Sequence, residues 1–250
     1  MGKSKSIEEM IKEYQKRCFK DYKKSIGYNK KYKYYYGNPI NVLVPIETAV
    51  NKFMIVGAYP SAKFFTVNKV TTTPLYDNDS PFSNESYFDG STVRTIPSGK
   101  ELNEMILSNI GVKRSDCWVT DLVKVFLFKD GHIKRYEKLG KKDFKENRSK
   151  FNEYAEKSLE WLYEEIEIAN PKLVILLGLE VIMNIFSVSQ KVAKEYLDGE
   201  VKIKFINNTE RHFVCIPHPG ILMKPSSRNP WPEKFLKKIA PRVKSTVENY

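Results

Sequence analysis

A chain of 250 residues can bury a substantial core, as one large domain or two small ones. No apolar run reaches the roughly 18 residues that a membrane-spanning helix needs, and no apolar leader follows Met1-Gly2-Lys3-Ser4-Lys5. The net charge of +12 sits at the ends: residues 1–37 carry eleven Lys/Arg against four acids and residues 221–250 seven against two, leaving the middle neutral.

Such a distribution fits an electrostatic footprint for a polyanion; basic tails that merely aid solubility are the plainer alternative. Ser6-Ile7-Glu8-Glu9 is a capping-box pattern, and Ile7, Met10, Ile11, Tyr14, Cys18 and Tyr22 follow at helical spacing. A basic amphipathic helix is therefore expected over about residues 6–25. Lysines and tyrosines interleave from Tyr28 to Tyr36. Rings beside cations suit single-stranded nucleic acid, and a tyrosine-rich arm packed on the core suits the same residues.

Phe53-Met54-Ile55-Val56 reads as a strand buried on both faces, stopped by Gly57 and Pro60. Residues 62–97 are rich in Thr, Ser, Asn, Asp and Pro without clear period, and an irregular segment is expected there. Ser98-Gly99-Lys100-Glu101 is a second capping box, opening a helix that stops near Gly111. Cys117 to Asp121 reads as a strand that could run on through Val125, and residues 129–149 as a polar, basic surface loop. A long helix over about 150–169 ends before Pro171. Lys172 to Leu177 is a third buried strand closed by Gly178, and Glu180 to Phe186 a short helix. Val201–Ile206 and Arg211–Ile216 flank Asn207-Asn208-Thr209 as a hairpin. A terminal helix starts near Pro232 and should kink or split at Pro241.

Strands alternating with helices predict an α/β fold with a largely parallel sheet. Ligands in such sheets bind where strands end, which draws Tyr59, Ser61, Asp121, Lys124 and His218 toward one edge. Three scattered cysteines, Cys18, Cys117 and Cys215, form no CxxC pair. They argue for a reducing, cytoplasmic setting and against zinc or an iron–sulfur cluster.

The order Val56-Gly57-Ala58-Tyr59-Pro60-Ser61, Ser98-Gly99-Lys100-Glu101-Leu102, Val119-Thr120-Asp121-Leu122-Val123-Lys124 resembles the uracil-DNA glycosylase superfamily. Pro171 to Gly178 and His218-Pro219-Gly220 complete the pattern, closest to the iron–sulfur branch but without its cluster cysteines. The resemblance implies a three-layer fold, with a four-stranded, mainly parallel sheet between helices, over residues 46–250. A basic, tyrosine-rich helical extension, residues 1–45, would pack on it. It also implies a DNA glycosylase that flips and excises a damaged or deaminated base, with DNA, double- or single-stranded, as partner. No cofactor, metal or membrane is expected, and the protein is expected to be a monomer. A catalytically silent module gripping nucleic acid or a protein is the alternative, and a hydrolase of free nucleosides or nucleotides a third reading.

By the same resemblance Tyr59, Ser61 and His218 are the catalytic candidates. Gly57, Ala58, Phe82, Phe88 and Asp121 would hold the base. Lys124, Lys224 and Arg228 would meet phosphates, and Ile221, Leu222 or Met223 would enter the duplex as a wedge. Two departures are chemical. The first motif lacks a carboxylate or amide to hold water, and Asp121 stands where the family has Asn. An ionised Asp only accepts hydrogen bonds, which disfavours the uracil O4 and favours an amino group or ring N–H.

Overall fold

A computed structural model describes residues 5–143, 145–224 and 226–250. Met1 to Ser4, where no apolar leader is expected to follow, lie outside the described residues.

The strands are β1 Phe53–Gly57, β2 Ala62–Val67, β3 Val70–Asp77, β4 Ser86–Phe88 and β5 Val93–Thr95, followed by β6 Cys117–Asp121, β7 Leu173–Leu177, β8 Val201–Ile206 and β9 Thr209–Ile216. Five of them form the central sheet in the order β6-β1-β7-β9-β8. β6, β1, β7 and β9 run parallel, the four-stranded core expected, and β8 adds a fifth strand antiparallel to β9. The connection between β8 and β9 is the asparagine turn, with Asn207 and Asn208 at φ 46° and 62°, as a two-residue hairpin with right-handed strand twist requires.

Side chains alternate between the two faces of each strand, so each strand feeds two cores. Met54, Val56, Trp118, Val174 and Phe213 pack beneath the N-terminal helix Ile7–Ser25 and helix Phe151–Ala169. Ile55, Val119, Ile175 and Val214 pack against residues 102–112 and the C-terminal helices. The result is a three-layer sandwich with every parallel strand buried on both sides.

The N-terminal helix forms with its capping box complete: Ser6 accepts from the Glu9 N–H while the Glu9 carboxylate takes the Ser6 N–H. The C-terminal helix is split where Pro241 predicts, into Trp231–Lys234, a π-helical turn Phe235–Ile239 and Ala240–Glu248. A proline removes one helical donor and crowds the carbonyl four residues back, and the wider turn accommodates both.

Four expectations are corrected. Residues 62–97 contain two hairpins, β2–β3 and β4–β5, whose threonines and serines mask the strand period. Residues 129–149 contain helix Asp130–Lys138, which buries only His132, Ile133 and Tyr136, too narrow a stripe to stand out in a polar stretch. The second helix begins at Pro97, with Ile96 at the cap and no side-chain capping bond, because Pro97 supplies a preset φ one residue before Ser98. β6 stops at Asp121; residues 122–128 leave the sheet but stay buried.

Candidate active site

Tight turns at the carboxyl ends of the parallel strands build the site. The carbonyls of Gly57 and Ala58 accept the N–H groups of Leu122 (2.8 Å) and Val123 (2.9 Å), which knits the end of β1 to the end of β6. The Gly178 N–H donates to the Ile216 carbonyl at 2.9 Å and does the same for β7 and β9. Gly178 sits at φ 92°, and a Cβ on it would lie 3.1 Å from the His218 Cβ, so glycine admits the histidine turn.

These turns open on a cleft of about 540 Å³ that collects residues remote in sequence. Ala58, Tyr59, Ser61, Phe82, Asp121 and His218 line it, and Lys224 stands at it as well. Gly57 lies underneath: a Cβ there would collide with the Asp121 carboxylate and the Phe82 ring, so its absence lets those two side chains meet. Phe82 itself is held at φ 52°, an unfavourable conformation for a bulky residue. Arg114, paired with Glu47, donates to its carbonyl at 3.0 Å. Gly99 packs so closely beneath Phe82 and Ser83 that no side chain fits there.

Asp121 is 2% exposed, and no described group donates a hydrogen bond to its carboxyl. Burial raises its pKa to about 7; Lys124 opposes the rise and Glu165 adds to it. At neutral pH the group is therefore divided between a form that only accepts and a form that also donates.

His218 caps the short helix Pro219–Leu222, its Nδ1 accepting the Gly220 N–H at 3.1 Å. With Nδ1 an acceptor, the neutral ring carries its proton on Nε2. The cleft walls desolvate the ring and lower its pKa, Glu180 pulls the other way and Lys129 adds to the lowering, while one side stays open to solvent. A neutral donor is the outcome.

Several cleft residues escaped the sequence reading. Glu101, from the second motif, reaches the cleft beside the His218 turn, its pKa raised by burial and restrained by Lys224. It supplies a carboxylate that the first motif lacks. Arg148 pairs with Glu180 and lies 4.8 Å from the rings of both Tyr59 and Phe151. His132 stacks on Phe126 and accepts the Lys129 N–H on Nδ1 at 3.2 Å. Burial lowers its pKa to about 4, so it too is neutral. Only Glu101 carried a readable signal, its place in a motif; the others depend on helix Asp130–Lys138 and the loop after it.

Other expected residues lie elsewhere. Phe88 is on the β4–β5 hairpin, 62% exposed, and does not line the cleft. Lys124 is wholly buried, 2.6 Å from Glu165, and cannot meet a phosphate from there. Leu222 is 2% exposed and belongs to the core, so a wedge role does not fit it; apolar residues at helical spacing turn one side inward. Its neighbours Ile221 (44%) and Met223 (41%) face solvent on a turn fastened by Asn229, which donates to the Ile221 and Lys224 carbonyls. Arg228 is exposed on the same segment.

Among the described residues no helix is long and apolar enough to cross a membrane, no cluster of His, Cys, Asp and Glu could hold a metal ion, and all three cysteines are free and buried. A search of curated proteins found no match to the chain. A family model, the Uracil DNA glycosylase superfamily, matches residues 47–240. That span takes in β1 through the C-terminal π turn and every cleft residue, and the chain belongs to this superfamily.

Proposed function

We propose that this protein is a DNA glycosylase that draws one base out of the helix into the cleft and hydrolyses its N-glycosidic bond. The observation that carries the reading is the meeting of an aromatic face, an edge-reading carboxyl and a neutral histidine donor at one set of strand ends: Phe82, Asp121 and His218.

An extruded base would stack on Phe82 while Asp121 meets its pairing edge. As the bond to C1′ stretches, positive charge grows on the sugar and negative charge on the departing base. The proton on His218 Nε2 would hydrogen-bond the base carbonyl that gains this charge, a donor that strengthens once the bound base covers the open side of the ring. Glu101, a cleft carboxylate that neither pairs with an arginine, as Glu180 does, nor is assigned to the base edge, as Asp121 is, would orient the attacking water and take its proton, with Tyr59 and Ser61 shaping the same wall. Ile221 and Met223 present apolar surface to fill the gap left in the duplex, and Lys224 and Arg228 supply charge for the flanking phosphates.

Asp121 bears on base choice. Above pH 7 its ionised form selects a base presenting an amino group or ring N–H, and below pH 7 the protonated form can also donate to a carbonyl.

The test is a panel of oligonucleotides carrying uracil, hypoxanthine, xanthine or an alkylated base, incubated with the protein and then cleaved at abasic sites with alkali. Strand scission for at least one base is expected. Intact strands throughout, with salt-sensitive binding retained, would replace this reading with a silent nucleic-acid-binding module.

A further inference from the structure

The segment that leaves β6 carries Asp121 at one end and Phe126, another cleft residue, five positions on. Residues 122–128 belong to neither helix nor strand, so their backbone groups need partners from outside. Many of those partners come from residues 14–43, which precede the family-matched span. The Tyr22 hydroxyl accepts the Lys124 N–H at 2.9 Å and is bonded to Ser158 at 2.6 Å. The Leu43 N–H donates to the Lys124 carbonyl at 2.8 Å, and the Tyr28 hydroxyl to the Phe126 carbonyl at 2.9 Å. Tyr34 packs its ring against Phe126 and Phe128.

Below them lies a buried charge cluster. Lys124 Nζ touches Glu165 (2.6 Å) and donates to Thr120 Oγ1 (2.7 Å) and to the carbonyl of Asp121 (3.0 Å). Glu165 is shared by Tyr14 from the N-terminal helix (2.5 Å) and Trp118 from β6 (3.1 Å). Every member is fully or almost fully shielded from solvent, so each bond is strong and its geometry narrowly set.

We propose that the N-terminal extension is part of the active site at one remove: Tyr14, Tyr22 and Tyr28 are positioning residues that set the 121–128 segment so that Asp121 and Phe126 face the cleft. Tyr28, buried with its hydroxyl bonded to the Phe126 carbonyl, is thereby taken out of contention for stacking on nucleic acid. This inference rests on Asp121 being the group that meets the base.

The test uses the full chain with Tyr14→Phe and Tyr22→Phe, each losing one hydroxyl, and Arg17→Ala, on the same N-terminal helix, as a control that breaks the surface pair with Glu164 of helix Phe151–Ala169. Excision kinetics on the best oligonucleotide of the panel should show kcat reduced about 10-fold in the tyrosine variants, because a base held by a displaced Asp121 presents its glycosidic bond out of line with His218 and Glu101. Carbon-13 NMR of the Asp121 carboxyl should show its titration midpoint falling as the loosened segment admits water, while Arg17→Ala matches the parent in both measurements. If Tyr22→Phe does not fold, Tyr28→Phe replaces it with the same readouts. Tyrosine variants with lower melting temperatures but unchanged kcat and an unmoved Asp121 midpoint would make the extension a stabilising cover only and overturn the proposal. If no base is excised even by the parent, the glycosylase reading fails alone, and the Asp121 midpoint still decides whether the tyrosines position it.

Discussion

Replacing Asp121 by Asn tests the electrostatics of the cleft and its base preference together. The carboxyl titrates near 7 in the folded chain against an ordinary value of 3.8, because it is buried and accepts no hydrogen bond from the described residues. A raised carboxylate pKa means that the folded state holds its proton where the unfolded state has already released it. Stability from this group is therefore present below about pH 4 and is lost as pH rises toward 7. Moving a carboxyl from 3.8 to about 7, at about 1.4 kcal/mol per factor of ten in acidity, puts the cost of the ionised form near 4 kcal/mol as an upper bound. Asn has the same shape and no charge to desolvate. Urea denaturation should therefore find Asp121→Asn more stable than the parent at pH 8, by up to about 4 kcal/mol, with the difference shrinking toward zero at pH 4. On the oligonucleotide panel the variant should move toward uracil, since an amide donates to O4 at every pH. Equal urea midpoints at pH 8, or a gap that does not vary with pH, would refute the claim that burial drives the shift. An unchanged base profile would remove Asp121 from base recognition.

Other variants probe the remaining parts of the cleft. His218→Ala should lower excision about 100- to 1,000-fold, the cost of one lost oxyanion donor, while DNA affinity measured by fluorescence anisotropy stays as in the parent; full activity would take His218 out of the chemistry. Glu101→Gln should lower the rate at least about 100-fold and abolish an acid limb lying above the ordinary carboxylate range, read from single-turnover rates against pH. The working form of Glu101 is ionised, so activity should fall as pH drops through its raised pKa. Gly57→Ala places a methyl group against both Asp121 and Phe82; it should lower stability by about 1–3 kcal/mol in urea and reduce excision.

The runs Phe53–Val56, Cys117–Asp121, Leu173–Leu177 and Phe213–Ile216 were legible because strands buried on both faces need unbroken apolar side chains, and few other structures do. The asparagine turn was legible because few residues accept two successive positive φ angles. The hairpins of residues 62–95 and helix Asp130–Lys138 were not. Helix Asp130–Lys138 buries three side chains, strands β4 and β5 bury none, and the buried residues of β2–β3 include Thr73 and Pro74, so no regular apolar period stands out among the polar neighbours. The site divides in the same way. Tyr59, Asp121 and His218 follow from the rule that strand ends carry chemistry. Lys124, three positions from Asp121, follows the same rule and points inward to Glu165 instead.

By itself the chain determined which segments must be buried and where they must stop, because apolar runs, glycines and prolines act locally. It could not determine which side of a buried turn each polar group occupies. That depends on partners hundreds of atoms away along the chain, such as Glu165 for Lys124 and Tyr22 for the segment behind Asp121. Desolvation is likewise collective. A carboxyl pushed up to about 7 is a property of everything packed around it, and only the assembled tertiary structure supplies that surrounding.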